Sequence, residues 1–309
     1  MIIEYCRNDD LNFGDDLNKW LWPRLLSECL SPNDNIYLVG IGTLLTSKRF
    51  RLTLKNASKI VIFSSGSWGR DHPTLDSRCK IYGVRGPRTA QTLGISADSV
   101  VGDGAYLLRL LDFKPTSQKN ETAFIPHHRS EQYVDWDSVC KKAGLKFIST
   151  RQPVESFLEE VRSCDKVIAE AMHGAIAADI FRIPWICTSF ATNFNSDKWM
   201  DWSESMEVNL QIHQLPIVYA RKLPLLKSLE NWFKRSALSK LARSDKWRKL
   251  PVAFKTASSD DLDALSNALK SINTTATPSL SSDTRLAFIT DRLTTQLEKL
   301  KSDYKTGRI

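Results

Sequence analysis

The sequence places a histidine, His173, at the junction between a buried strand and a helix. Residues 167–169 form a short apolar run typical of a parallel strand, and the residues after Gly174 have helical spacing. In an open α/β sheet, residues beyond the carboxyl end of a strand line the ligand crevice, and the next helix presents free N–H groups to anions. His173 is therefore predicted to face an acidic ligand, with Gly174 forming a sharp turn. The alternative is a histidine that only caps or packs against this turn.

Two arginines occupy a similar position earlier in the chain. Arg85 ends an apolar run at residues 80–84, and Gly86, Pro87 and Arg88 follow it. Proline suits the first position of a helix, where no N–H donor is needed. Both guanidinium groups are thus predicted near free helix N–H groups, where each hydrogen bond to a phosphate or carboxylate contributes about 1.5–3 kcal/mol. A solvated surface pair is the alternative.

A third polar group, PHHRS at residues 126–130, follows another strand-like run. It brings His127, His128 and Arg129 to the end of a predicted strand where ligands bind in α/β sheets. These three residues are therefore candidates for the same anion site.

Several motifs near the N-terminus are predicted to line a cleft. NFGDDLN at residues 12–18 indicates a turn into a helix, with Asp15 as its N-cap. VGIGTLL at residues 39–45 lacks the third glycine and the acidic partner of a dinucleotide motif, and GSWGR at residues 66–70 lacks the Lys-Ser/Thr of a P-loop. Both are rejected as nucleotide motifs and interpreted as close backbone turns.

The elements that must position these residues alternate between strand and helix patterns, which indicates parallel βαβ units. We predict an α/β protein with two Rossmann-like halves, at residues 1–113 and 121–220, joined by a polar linker at residues 111–121. A helical extension follows at residues 221–309. Strands are predicted at residues 2–6, 36–41, 59–64, 80–84, 99–102, 122–126, 145–149, 166–171 and 184–188. Helices are predicted at residues 15–27, 87–93, 136–143, 154–163, 174–181 and 260–271.

Composition is typical of a globular protein, and 309 residues suffice for two domains. No apolar run approaches the roughly 20 residues that span a bilayer, and the N-terminus lacks the layout of a signal peptide. We therefore expect a cytoplasmic protein. The six cysteines are scattered singly, which predicts reduced packing residues, and no ligand cluster predicts a bound metal.

The net charge of +8 lies in one segment, because residues 221–250 contain ten basic and two acidic residues while the remainder has 33 of each. The neutral remainder argues against a nucleic-acid surface.

Within residues 222–250 an apolar stripe lies opposite basic residues, which is typical of an interfacial helix on an anionic membrane. This pattern predicts peripheral attachment to the inner face of the plasma membrane. An internally packed helix with a solvated basic face is the alternative. The stripe comprises Leu226, Leu229, Trp232, Phe233, Ala237 and Leu241, opposed by Lys227, Lys234, Arg235 and Arg243.

A final helix is predicted from apolar residues at three- and four-residue spacing. Its single apolar stripe is expected to pack on this chain or on a second subunit, which would make a homo-oligomer. The stripe comprises Leu286, Ile289, Leu293, Leu297 and Leu300.

Taken in order, seven motifs between about residues 8 and 205 resemble the polysaccharide pyruvyl transferase family, most closely its succinoglycan-type branch. These motifs are NFGDDLN, VGIGTLL, GSWGR, YGVRGPRTA, VGDGAYLL, IPHHRS and EAMHGAIAADIFRIPWI. The resemblance implies two domains similar to GT-B glycosyltransferases. It also implies that phosphoenolpyruvate, as a co-substrate with no further cofactor, donates a pyruvyl group to two hydroxyls of a sugar, forming a ketal and phosphate.

The reaction that the resemblance implies leads to a hypothesis for the roles of the candidate residues. His173 is expected to be the general acid/base, with Glu170 or Asp103 orienting it. The donor side comprises Arg85 as the main anion clamp, supported by Arg88, Arg129, His127, His128 and Gly174. The acceptor side comprises Asp15, Asp16, Gly40, Thr43 and Trp199, although Asp15 could only cap its helix and Trp199 could only pack in the core.

In many family members Arg-Leu precedes the cleft histidine, whereas Ala171 and Met172 stand here. Arg129 or Arg88 is the expected substitute for the missing arginine. The expected acceptor is a sugar on a lipid-linked oligosaccharide. The nearest alternative function is a nucleotide-sugar glycosyltransferase of the GT-B type, but no clear acid for binding a ribose is found.

Overall fold

Two parallel sheets organise the chain, as the alternation of strand and helix patterns predicts. The computed structural model describes residues 1–7, 10–67, 69, 71–116, 120–190, 194–220, 225–238, 250–253 and 255–309. The first sheet lies within residues 2–84 and the second within residues 122–214. The boundaries of the two halves stay a prediction.

The first sheet has the strand order β1-β2-β3-β4, and every neighbouring pair is parallel. Its central strands are apolar on both faces, because helices cover the sheet. The strands are β1 (Ile2–Glu4), β2 (Ile36–Val39), β3 (Lys59–Ser65) and β4 (Cys79–Val84). The helices are α1 (Phe13–Leu26), α2 (Ser47–Leu52) and α3 (Pro87–Leu93), and a 3₁₀ segment follows at Gly104–Leu110.

The second sheet has the order β6-β5-β7-β8-β9 and is also parallel throughout. Its strands are β5 (Thr122–Ile125), β6 (Lys146–Phe147), β7 (Lys166–Ala169), β8 (Trp185–Ser189) and β9 (Ile212–Gln214). Its helices are α4 (Trp136–Ala143), α5 (Val154–Arg162), α6 (Met172–Ile180) and α7 (Ser196–Ser205).

Some local predictions are wrong. Residues 99–102 form no strand, since they follow a 3₁₀ turn and contribute a single bridge between Val84 and Val100. The N-cap of α1 is Asn12 rather than Asp15. Gly174 lies inside the first turn of α6 and makes no sharp turn; a Cβ there would lie 3.0 Å from Ile125, so this glycine permits close packing on β5. Strand β9 and helices α2 and α7 were not expected.

In the described residues after the second sheet there are three further helices. They are α8 (Leu225–Phe233), which continues as a π-helical turn over Lys234–Leu238, α9 (Ser259–Thr275) and α10 (Asp283–Lys305). The apolar stripe predicted at residues 286–300 is buried against the first half of this same chain. At the end of α10, Tyr82 donates a hydrogen bond of 2.9 Å to Asp303. The last helix therefore returns to the N-terminal half.

A buried carboxylate, Asp179 on α6, joins three parts of the chain. It accepts hydrogen bonds from the Tyr106 hydroxyl at 2.8 Å, from the Trp185 indole at 3.1 Å, and from the backbone and hydroxyl of Ser281 at 2.8 and 2.6 Å. These donors come from the first half, the second sheet and the segment before α10. Because all of them are buried, each depends on this carboxylate for its partner.

Replacement of Asp179 by alanine should lower the free energy of unfolding by about 3 kcal/mol or more, because several buried donors would lose their acceptor. Ser281→Ala, which removes one donor only, should cost about 1 kcal/mol. Urea unfolding followed by circular dichroism measures both. Asp291→Ala on the exposed face of α10 is the matched control, expected within about 0.5 kcal/mol of the wild type. Equal stability of Asp179→Ala and this control would contradict the assigned role.

Candidate active site

His173 lies where the two halves meet. It is the second residue of α6, two residues beyond the strand-to-helix junction at Ala171. Its ring packs directly on Gly14 of α1, since a Cβ at Gly14 would lie 2.3 Å from the histidine Nδ1. The amides of Met172 and His173 open the helix and have no partner within it. His173 thus lies at a helix N-terminus, and its predicted role in binding an acidic ligand stays a prediction.

Asp103 is the carboxylate that faces His173. Its Oδ2 lies 3.8 Å from the Nε2 of the histidine, and neither buried atom has a hydrogen-bond partner within the described ranges of the chain. The other carboxylate oxygen accepts the amide of Ala105 at 3.0 Å and so caps the 3₁₀ segment. A displacement of about 1 Å would bring Asp103 and His173 into hydrogen-bond range.

Arg85 is fully buried just after β4, and one of its nitrogens has no hydrogen-bond partner among the residues that the structure describes. Its Nε donates to Asp201 at 2.9 Å and its Nη1 donates to Thr43 at 3.1 Å. Gly66 makes room for the guanidinium group, because a Cβ there would lie 2.3 Å from the arginine Cζ. The remaining nitrogen, Nη2, is buried and can donate a hydrogen bond to an anion.

Asp201 reaches Arg85 from α7 and thus connects the second half to the first. It also accepts the Thr89 amide at 2.9 Å and the Thr89 hydroxyl at 2.8 Å, at the start of α3. This carboxylate therefore accepts from three donor groups, and its negative charge opposes the positive charge of Arg85.

Glu170 organises the predicted PHHRS group. It accepts the His127 amide at 2.9 Å and the Ser130 hydroxyl at 2.9 Å. Burial, with Lys198 and neighbouring cations, holds the pKa of His127 well below its usual range. Burial and the nearby Arg129 lower the pKa of His128 to about 4.

Lys198 on α7 is a candidate residue that sequence reasoning left without a role. It lines a small pocket with His127, Glu170, Phe194 and Asn195. Burial, reinforced by Arg85, lowers the pKa of its ammonium group to about 8, while Asp15 and Glu170 act in the opposite direction. Within the described residues the ammonium group forms no ion pair.

A signal for Lys198 does exist in the sequence. Asn195 caps α7 by accepting the amides of Asp197 and Lys198 at 3.0 and 3.3 Å. An asparagine N-cap shortly after the carboxyl end of β8 marks a helix start at the ligand-binding edge, by the rule that selected His173.

Ser64 is a second unexpected residue. It is the penultimate residue of β3 and has a φ of 65°, which is rare for serine and costs about 1–3 kcal/mol. Its buried hydroxyl has no hydrogen-bond partner among the described residues and lies beside Gly104, next to Asp103. No pattern in the sequence indicates this strained conformation.

Other predicted residues lie apart from His173 or serve the structure. Arg88 forms an exposed ion pair with Glu204, and the Arg129 side chain is exposed. Trp199 is fully buried against Trp185 and Trp202, so its ring offers no face to a sugar and the core-packing alternative holds.

On the acceptor side, Asp15 accepts the Asn12 side-chain amide at 2.6 Å, and Asp16 accepts the Asn12 amide at 3.2 Å and pairs with Lys19. Gly40 lies against the Trp22 indole. Thr43 is joined to Arg85 as described above. The predicted binding roles of these residues stay predictions.

The pKa of His173 is lowered to about 4, first by burial and then by Lys198 and Arg85, against the opposing effect of Asp103. An unfolded histidine takes up its proton near pH 6.5. Below that pH the unfolded state binds more protons than the native state, so stability falls as the pH drops from about 6.5 towards 4. This one histidine accounts for a loss of roughly 3 kcal/mol over that range.

No group of three or more His, Cys, Asp or Glu side chains is placed to hold a metal ion in the part of the chain that the structure describes. Among the same residues, no helix is both long and apolar enough to cross a membrane.

Comparison with known proteins agrees with the motif resemblance. The model of the polysaccharide pyruvyl transferase family matches residues 2–190. The chain is also 30% identical over 315 residues to succinoglycan biosynthesis protein ExoV of Rhizobium meliloti (strain 1021), with 97% of this chain and 98% of that protein covered. No solved structure matches. The chain therefore belongs to the polysaccharide pyruvyl transferase family, a family of transferases.

In the ligand-free protein, His173 should remain neutral until the pH approaches 4, as followed by NMR of ¹⁵N-labelled imidazoles. Lys198→Met should raise this pKa because it removes a nearby positive charge, and Asp103→Asn should lower it further. The spectrum of His173→Gln identifies the signal. Titration of His173 near its ordinary pKa of about 6.5 would contradict the burial and charge balance described here.

Proposed function

We propose that this protein transfers a pyruvyl group from phosphoenolpyruvate to two hydroxyls of one sugar, in the precursor of an exopolysaccharide or cell-surface glycan. The products are a cyclic pyruvate ketal and phosphate. Family membership and the similarity to a protein named for succinoglycan biosynthesis support this reaction. The observation that carries the proposal is the meeting of His173 with buried, incompletely paired cations where the two halves touch.

The donor carries a phosphate and a carboxylate, and both need cations. Arg85 offers Nη2, which has no hydrogen-bond partner in the described part of the chain. Lys198 is the half-buried cation that supplies the second contact, in place of the arginine that many family members carry at the position of Ala171. Arg88 is less suited because it already pairs with Glu204 in solvent. Arg129 lowers the pKa of Lys198 and so acts on the same site from its edge.

The chemistry begins with delivery of a proton to the methylene carbon of phosphoenolpyruvate, which leaves a cationic carbon next to the phosphate oxygen. One sugar hydroxyl attacks this carbon and loses its proton. The C–O bond to phosphate then breaks, and the second hydroxyl closes the ring and loses its proton. One of the two hydroxyl protons balances the one given to the methyl group, and the other leaves with phosphate.

His173 is the residue proposed to move the first proton. With a pKa of about 4 it is neutral in the empty site at pH 7. Donor binding brings negative charge beside the ring and so raises its pKa, because a nearby anion favours the imidazolium form. Asp103 then stabilises the charged ring. His173 is thus protonated, and able to act as the acid, only when the donor is bound.

The acceptor is proposed to approach from the first half, as a lipid-linked oligosaccharide. Asp15 lies close enough to Lys198 to raise the pKa of its ammonium group. A sugar hydroxyl oriented by Asp15 would therefore lie beside the bound donor. Because the Gly14 backbone packs on His173, the same turn of α1 faces both substrates.

His173→Gln should lower turnover by about 10²- to 10⁴-fold, the usual contribution of a general acid. The assay follows inorganic phosphate by ³¹P NMR, with phosphoenolpyruvate and an extract of lipid-linked sugars. Phosphate should appear only when both are present. Binding of phosphoenolpyruvate to the variant, measured by calorimetry, should persist and show that the site is intact.

Wild-type turnover in His173→Gln would rule out this residue as the acid. Release of a nucleoside diphosphate from a sugar nucleotide would instead favour the glycosyltransferase alternative. Absence of phosphoenolpyruvate binding to the wild type would contradict the proposed donor.

Lys198→Met should raise KM for phosphoenolpyruvate by about 10- to 100-fold with a smaller change in kcat, because the cation binds the donor before and during the reaction. In the wild type, KM should also rise as the pH passes about 8, where Lys198 loses its proton. Lys198→Arg should remove that rise, since arginine stays charged. Lys141→Met, on the exposed face of α4, is the control. An unchanged pH profile in Lys198→Arg would refute the assignment.

A further inference from the structure

Helix α8 turns its polar side towards the protein and its apolar side outwards. Ser228 and Asn231 are buried, and they donate hydrogen bonds of 2.8 and 2.7 Å to the carbonyls of Ala253 and Pro251. A cluster of large apolar side chains is exposed, with Leu226 at 83%. This cluster, the α8 apolar face, comprises Leu225, Leu226, Leu229, Trp232 and Phe233.

The orientation is the reverse of an ordinary surface helix, which buries its apolar stripe against the core. The spacing i, i+1, i+4, i+7 and i+8 places all five apolar residues on one side of the helix. Contiguous exposed apolar surface of this kind marks an interaction site. The alternative of an internally packed helix is thus wrong for the described part of this segment, residues 225–238.

Positive charge accompanies the α8 apolar face. The described helical segment carries Lys227, Lys234 and Arg235 against a single acidic residue, Glu230, which pairs with both lysines. In sequence, residues 221–250 hold the whole excess charge of the protein. Residues 221–224 and 239–249 lie outside the described residues, whereas the α8 apolar face lies wholly within them.

We propose that the α8 apolar face docks on the surface of an anionic lipid bilayer. Leucine, tryptophan and phenylalanine on one side of the helix, with lysine and arginine on the rest of its surface, fit the boundary between acyl chains and acidic headgroups. A second copy of this chain fits less well, because a two-fold contact would bring two segments with excess positive charge against each other.

Docking through α8 would hold the enzyme beside membrane-embedded substrates. A lipid-linked sugar diffuses in the plane of the bilayer, so attachment raises its local concentration near the active site. The docking itself does not depend on the proposed reaction, and it can be tested without any substrate.

The test is sedimentation of the full-length protein with vesicles of phosphatidylcholine alone or with about 30% phosphatidylglycerol. The wild type should bind the anionic vesicles at least about tenfold better, and binding should fall steeply between about 0.1 and 0.5 M salt. The combined variant Leu226→Gln, Leu229→Gln and Trp232→Gln should lose at least about tenfold in partitioning. Leu52→Gln is the matched control, because Leu52 is 63% exposed on α2, outside α8, and should leave binding unchanged.

Lipids brominated near the headgroup test the contact directly, since they should quench Trp232 when the helix docks. Trp232→Phe should keep vesicle binding but lose this quenching. Binding that is insensitive to salt and to lipid charge, or unaffected by the triple variant, would overturn the proposal. A dimer in sedimentation velocity that the triple variant dissociates would assign the face to a second copy instead.

Discussion

The ion pair between Arg85 and Asp201 joins the two halves of this protein and sets the charge of the site between them. Both groups are buried, and removing one partner of such a pair costs about 3–5 kcal/mol because the other is left uncompensated. Asp201 also receives two donors from Thr89, so the arrangement is nearly complete on the carboxylate side. Among the described residues, the Nη2 of Arg85 has no hydrogen-bond acceptor, so this nitrogen can donate to an anion.

The basic groups near Arg85 also outnumber the carboxylates that could offset their charge. Lys198 and His173 are half-buried near Arg85. Desolvation and Arg85 lower the pKa of Lys198, and desolvation, Lys198 and Arg85 lower the pKa of His173. Asp103 and Glu170 offset this only in part, and Glu170 is engaged by the PHHRS loop. A buried site with more basic groups than it can keep charged gains protons when an anion enters. Binding and protonation are therefore coupled by the composition of the site.

The positions of His173 and Arg85 could be predicted because both follow a strand in a parallel sheet, where topology fixes the ligand-binding edge. Helix α3 and helix α4 were also predicted with the bounds observed, since proline, glycine and aspartate mark their ends. Burial was harder to foresee. Trp199 and Lys198 are neighbours on α7, yet one enters the core and the other lines a pocket, because the direction of a helix face depends on tertiary packing.

Two further differences between prediction and structure also arise from tertiary packing. The hydrophobic pattern of α8 predicted an amphipathic helix, but only the hydrogen bonds of Ser228 and Asn231 show which side faces the protein. Arg88 follows Arg85 by three residues in the chain, but its side chain pairs with Glu204 on α7. Spacing along a chain does not determine which partner arrives from a distant element.

The return of α10 to the first half has a mechanical consequence. The chain passes between the halves once after Leu110 and again before Asp283, where Ser279 bridges to Trp185 and Ser281 binds Asp179. The amino terminus is fastened on that same half, as the Met1 ammonium group contacts Tyr304 of α10. Two crossings of the chain therefore link the halves, so that one half cannot turn freely on the other about a single linker.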